Sequence, residues 1–220
     1  MRNLILIILE VIICYTALIL LFKKYKTDGI YIYSIIAMVI ASIMNLKKIS
    51  IMGVPIPLGF GITTSILIGI NIIIQRRGKE EIKPWVILII VMSIISYITI
   101  YLASLMTNSN YNLLANMSFN SIFNQSIRVY IALMISLIIT ILLDSNLYYI
   151  VKKAKNKIIL SNIFTIIIAE FFENIIFVVI AYLFEYEAID LFLCIILRYI
   201  IKTLIGIIGT IPVYIASKYE

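Results

Sequence analysis

The chain has 220 residues, is 63% hydrophobic and has a mean hydropathy of +1.13, beyond the range of a soluble domain. About 20 apolar residues cross the hydrocarbon core as a helix, so this length allows six or seven spans, one integral membrane domain over 1–220, and no separate soluble catalytic domain. The formal charge of +7 sits at the ends of apolar runs, which excludes nucleic acid as a partner, and the lack of histidine excludes His-ligated metals and Ser-His or Cys-His catalysis.

The apolar runs are continuous rather than alternating, so the expected fold is all-α, a polytopic transmembrane helical bundle and not a barrel. Seven spans are expected, at 3–22, 31–46, 54–75, 85–106, 128–151, 158–184 and 189–216. The first contains Glu10, lacks a small-residue cleavage site and ends in Lys23, Lys24 and Lys26, so it reads as an uncleaved span rather than a signal peptide. On the second, Ala37 and Ala41 make a small-xxx-small spacing that favours close helix packing. The third opens on Gly53, Pro55, Pro57, Gly59 and Gly61, which suggests either a broken, re-entrant start or a simple loop. Further along it, Asn71 and Gln75 stand one turn apart. Trp85, Tyr31, Tyr33, Tyr101, Tyr148, Tyr149, Tyr182 and Tyr214 fall near span ends as interfacial anchors. Residues 107–127 read as a neutral, Asn/Ser-rich connection. Cys14 and Cys194 lie inside apolar runs, so no disulfide is expected.

The last three spans carry charge where charge is costly. Ser136, Thr140 and Asp144 form a polar stripe on the fifth. Glu170, Glu173, Asn174 and Phe177 share one face of the sixth. Arg198 and Lys202 are one turn apart on the seventh, with Gly206 and Thr210 in line and Pro212 expected to kink the helix. Glu170, Glu173, Arg198 and Lys202 all fall within roughly 10 Å of the midplane at the helical rise of 1.5 Å per residue. An ionised group at that depth costs roughly 2.5–3.5 kcal/mol or more, so such residues face one another, a cavity or a substrate.

Three carboxylates against two cations leave one negative charge uncompensated, which points to a solvent-accessible polar pocket that takes a ligand. The competing explanation is a structural ion-pair network that locks the helices. A carboxylate accepts two bonds from adjacent N–H donors, as on the edge of guanine, and Asn71 and Gln75 offer donors and acceptors to a heterocycle. An interhelical hydrogen bond explains those two amides equally well. The candidate substrate-binding residues are therefore Asn71, Gln75, Asp144, Glu170, Glu173, Asn174, Arg198 and Lys202.

Basic connections alternate with others along the chain. Lysines and arginines follow the first span, the third (Arg76, Arg77, Lys79, Lys83), the fifth (Lys152, Lys153, Lys155, Lys157) and the last (Lys218). The remaining connections hold Lys47 and Lys48, or are neutral, or carry Glu185, Glu187 and Asp190. This bias places the N-terminus outside and the C-terminus in the cytoplasm.

These residues resemble the queuosine precursor transporter family, also described as the vitamin uptake transporter family. Its pattern is matched by Ala41, Lys47, Gly53, Pro57, Gly59 and Gly78, then by Phe119, Phe123, Arg128, Ala132, Asp144 and Phe177, and finally by Lys202, Pro212 and Tyr214. The resemblance covers residues 31–216, so 1–28 reads as an additional N-terminal span before a transporter-like core at 29–220. The family's T-D…E signature reads Ile70, Asn71 and Gln75 here, its first Q-x-x-D reads Ile141 and Asp144, and its second reads Glu170 and Glu173. Polar positions are kept while negative charge moves from the third span to the sixth.

The resemblance implies uptake across a bacterial cytoplasmic membrane of a 7-deazaguanine, such as the 7-cyano or 7-aminomethyl form, or of queuine. The cationic aminomethyl form suits the uncompensated carboxylate. No cofactor is expected, nor a reaction, since no metal motif or placed nucleophile accompanies the acids. The alternative is a substrate-binding membrane subunit of an ATP-driven system: no G-x-x-x-x-G-K-[ST] loop is present, so ATP use would need a separate energising subunit. A homo-oligomer is the other partner left open.

Overall fold

The computed structural model describes residues 2–107, 112–124, 127–155 and 158–219. Lys157 and part of the 107–127 connection lie outside the described residues.

The first helix, α1 (Arg2–Met44), has 43 residues. Straight, it would run about 65 Å, roughly twice the hydrocarbon thickness. It breaks at Lys26, whose φ of 56° and ψ of −136° are not helical. The reversal is tight: a β-carbon on Gly29 would lie 2.2 Å from the Leu21 carbonyl oxygen, so only glycine fits. The two arms, 2–25 and 27–44, flank α2 (Phe60–Arg77). The first runs parallel to it, with Val11 at Gly61, Leu18 at Gly69 and Phe22 beside Arg76. The second runs antiparallel, with Asp28 at Arg77, Tyr33 at Ser65 and Asn45 at Gly59.

Between α1 and α2 the structure has neither a re-entrant helix nor an irregular loop. Strands β1 (Lys48–Ile51) and β2 (Val54–Pro57) pair antiparallel, Lys48 opposite Pro57 and Ile51 opposite Val54. Met52 and Gly53 turn the hairpin with φ of 54° and 87°, the positive pair that a two-residue turn of this hand needs. The Leu58 N–H donates to the Lys47 carbonyl, so Pro55 and Pro57 occupy alternate positions where a missing N–H points off the ribbon. For this reason α2 begins at Phe60 and not at 54.

Helix α2 is the axis of the bundle, buried from Phe60 through Ile74. Both arms of α1 pack on it, together with α5 (Ile127–Lys155), α7 (Ala188–Ile208) and α8 (Thr210–Lys218). A 3-10 turn at Lys79–Glu81 leads into α3 (Ile82–Leu105), which leaves most of its surface exposed. The neutral, Asn/Ser-rich connection contains α4 (Leu113–Asn124), twelve residues packed on α3. Its apolar residues, among them Leu114, Met117 and the tilted Phe119–Phe123 ring pair at 4.6 Å, account for a helix, but at about 18 Å it is too short to span. Helix α6 (Ile158–Tyr182) lies between α5 and α7.

The last span breaks at Gly209, three residues before Pro212. Pro212 has no N–H for the Ile208 carbonyl, and the Tyr15 hydroxyl donates to the carbonyl of Ile205 at 2.7 Å. Five stretches are long and apolar enough to cross a membrane: Arg2–Met44, Lys79–Leu105, Ile127–Ala154, Ile158–Tyr182 and Ala188–Lys218. The first of them is folded back on itself at Lys26, and α2 lies inside the bundle. Among the described residues, the fold is thus an all-α membrane bundle with five stretches of spanning length and composition.

The connections sort to two ends. At one, Arg77 pairs with Asp28 at 3.1 Å, Arg76 donates to the Ala216 carbonyl, Lys23 lies over Tyr219 and Lys79 over Tyr149. At the other, Lys48 pairs with Glu185 at 2.8 Å, and Arg128 donates to the Ile180 carbonyl at 2.7 Å, closing the C-terminal turn of α6.

Candidate functional site

The face of α6 that carries Glu170, Glu173, Asn174 and Phe177 meets α7 at Arg198 and Lys202, and all six side chains are fully buried. The helices touch closely here because Gly206 of α7 lies against Ile166: a β-carbon would fall 2.6 Å from Ile166 Cγ1. Lys202 Nζ donates to Glu173 Oε2 at 2.7 Å and lies 2.7 Å from Glu170 Oε2. The second contact lacks the angle of a hydrogen bond and is a charge contact only. Arg198 donates through Nη1 to Glu173 Oε2 and to Asn174 Oδ1, both at 3.1 Å, and its guanidinium sits 4.1 Å from the centre of the Phe177 ring.

Residues outside the expected set complete this group. Asn45, at the end of α1, accepts from Arg198 Nη2 at 3.4 Å, and Thr64 of α2 donates to Glu170 Oε1 at 2.7 Å. Gly59 caps α2 with a φ of 94° against Asn45, where a β-carbon would meet the amide at 2.7 Å. Nothing in the spacing of Asn45 or Thr64 announces these roles, since each looks like an ordinary span-end or in-helix polar residue. The cluster is therefore two acids against two cations with neutral donors around them.

Asn71 belongs to a second network. Its Nδ2 donates to Asn162 Oδ1 at 2.9 Å, and Asn162 in turn donates to Thr210 at 3.0 Å. The interhelical bond thus holds for Asn71, although its Oδ1 stays buried without a partner. Gln75, half-buried, uses its backbone carbonyl to accept from Lys152 Nζ at 3.4 Å, and its Oε1 is also unpaired. Asn162 was missed because a lone asparagine early in a span carries no periodic signal.

Two expectations change. The uncompensated acid is not shared among the three carboxylates: Asp144 stands apart from both cations, with Thr165 and Asn71 facing it. Neither of its oxygens receives a hydrogen bond of good geometry. The chamber is also closed, not open to solvent, since Asp144, Glu170, Glu173, Asn174, Arg198 and Lys202 are each 0% exposed. Side chains from four helices fill the space that an open pocket would need. A further intramembrane acid, Glu10, accepts from the Ile62 N–H at 3.3 Å and serves the N-terminus of α2.

Charged side chains gathered inside an apolar bundle suit binding or passage of a small polar molecule, and the comparisons agree with that class. The family described as "Putative vitamin uptake transporter" matches residues 57–216, from the end of the hairpin to α8. No curated protein and no solved structure matches the chain. The match takes in every member of the buried cluster except Asn45, and this multi-pass membrane protein belongs to the vitamin uptake transporter family.

Proposed function

We propose that the protein imports a 7-deazaguanine, in the 7-cyano, 7-aminomethyl or queuine form, across a bacterial cytoplasmic membrane with its N-terminus outside. The observation that carries this reading is the balanced, fully buried Glu170–Glu173–Arg198–Lys202 cluster at the junction of α6, α7 and α2. A buried ion pair is weak support for stability, because desolvation offsets most of the attraction. Its retention at membrane depth favours a role with substrate. The donor edge of a deazaguanine would replace Lys202 or Arg198 on one carboxylate. Asn174 would supply an amide contact to the heterocycle, and Asn71, Gln75 and Asp144 border the path toward the basic end.

The test is uptake of labelled deazaguanines in a strain unable to make them. Glu170→Gln and Glu173→Gln are expected to abolish uptake while the protein still reaches the membrane. Unchanged uptake in both variants overturns the reading. A rise in melting temperature with deazaguanines, and none with ordinary purines or other vitamins, is the expected binding result. Co-purification with an ATPase subunit would replace secondary transport with an ATP-driven system.

A further inference from the structure

Within the buried polar interior, the atoms that lack partners are not randomly distributed. On α5, Thr140 Oγ1, both Asp144 oxygens and Tyr148 Oη follow one another at single-turn spacing, all buried and unpaired. On α2, which packs against α5, Asn71 Oδ1 and Gln75 Oε1 do the same. Every one of these atoms is an oxygen that can accept. The stripe runs from the level of Asp144 to the basic end, where Lys152 reaches the Gln75 carbonyl.

Charge accounting identifies what is missing. Glu170 and Glu173 are matched by Lys202 and Arg198. Among the described residues, no cation lies within ion-pair range of Asp144, although it is 0% exposed. The ionisable groups near it are Glu170 of α6, itself held by Lys202, and the neutral phenol of Tyr148 on its own helix; α2 presents the neutral Asn71. A bare carboxylate in that setting costs several kcal/mol. One carboxylate with neutral oxygens around it is short of the charge and ligand count a divalent ion demands.

We propose that Asp144, with Asn71 and Thr140 beside it, is the binding site for a monovalent coupling cation, a proton or a sodium ion, which is released from it along Tyr148 and Gln75 toward the basic end. This rests on the transport reading above and gives that transporter its energy source. Asp144 is then separate from the substrate carboxylates one helix away.

Purified protein in proteoliposomes tests it with neutral 7-cyano-7-deazaguanine as the probe. Wild-type uptake is expected to rise several-fold under an imposed proton gradient or an imposed sodium gradient, and the responsive gradient names the ion. Asp144→Asn should lose that response while still exchanging substrate across the bilayer. A variant that keeps the full gradient response overturns the proposal. So does one that loses only the cationic aminomethyl substrate, since Asp144 would then be the counter-charge of the substrate.

Two readouts need no substrate, so they separate failure of this proposal from failure of the deazaguanine reading. Infrared spectra of the wild-type protein should contain a protonated-carboxyl band that Asp144→Asn lacks, or sodium should raise the melting temperature of the wild type and not of the variant. If Asp144→Asn does not fold, Asp144→Glu should shift the same band or weaken the sodium effect. Absence of both signals in the wild type sinks the idea.

Discussion

At the scale of single residues, Glu173 has the most to lose. It accepts from both Arg198 and Lys202, so Glu173→Ala leaves Lys202 with Glu170 alone and the buried Arg198 with only the amide oxygens of Asn174 and Asn45. Removing one member of a buried ion pair costs roughly 3–5 kcal/mol, and a large fall in melting temperature in detergent is the expected result. The contrast comes from a charge-neutral double variant. Glu170→Gln with Lys202→Met removes one charge of each sign from the cluster, and its melting temperature should recover most of what Lys202→Met alone loses. If the cluster serves only to lock helices, uptake should recover with it; we expect stability without uptake. Recovery of both would support the structural explanation, and thermal melts run beside transport assays decide it.

At the scale of elements, the approach of α6 to α7 hangs on Gly206. Gly206→Leu would push against Ile166, which a β-carbon alone already reaches at 2.6 Å. Overpacking of this kind costs about 1–3 kcal/mol, and Ile166→Ala in the same chain should restore most of it by vacating the space. Melting temperatures of the two single variants and the pair measure the coupling; additive losses would mean that the contact does not hold the helices at this spacing. Most of these elements were legible beforehand, because runs of Ile, Leu and Val at span length admit few structures in lipid. What escaped were features set by partners. The β-hairpin hid in Pro55 and Pro57, whose tolerance depends on which way a ribbon's hydrogen bonds point. The short α4 hid in a polar connection. The shared faces of Glu170, Glu173, Arg198 and Lys202 followed from helical spacing alone, whereas Asn45 and Thr64 join that cluster, and Asn162 joins Asn71, only because folding brings them together. The separation of Asp144 from the cations could not be read from span positions, which give depth and not azimuth.

At the scale of the whole molecule, the two ends differ in chemistry, and that difference is open to test. Met52 at the hairpin tip is 88% exposed, while Cys14 and Cys194 are buried and should not compete for reagent. Met52→Cys should react with an impermeant maleimide on intact cells, and Gly78→Cys only after permeabilisation; the reverse pattern would invert the orientation. One partly exposed ion pair also bridges the hairpin to the end of α6. Lys48 pairs with Glu185 and lies 4.5 Å from the centre of the Tyr182 ring, which stacks on Tyr186 at 4.9 Å. Beneath this, the Tyr182 hydroxyl donates to the Asn45 carbonyl, and the side chain of Asn45 accepts from Arg198, so the contact links directly to the buried cluster. A cavity of about 220 Å³ lined by Leu46, Lys48, Val129, Tyr182 and Glu185 opens beside it. An exposed ion pair is worth only about 0.2–1 kcal/mol, small enough to break and re-form without disturbing the packing of the helices around it. If substrate passes here, Lys48→Cys and Glu185→Cys joined by a short, reducible bis-thiosulfonate linker should stop uptake, and reduction should restore it. Lys48→Ala, which merely removes this ion pair, should leave the melting temperature nearly unchanged. A cross-linked protein that transports at the native rate would mean that the path opens elsewhere, and α3, which leaves most of its surface exposed, would be the next place to cross-link.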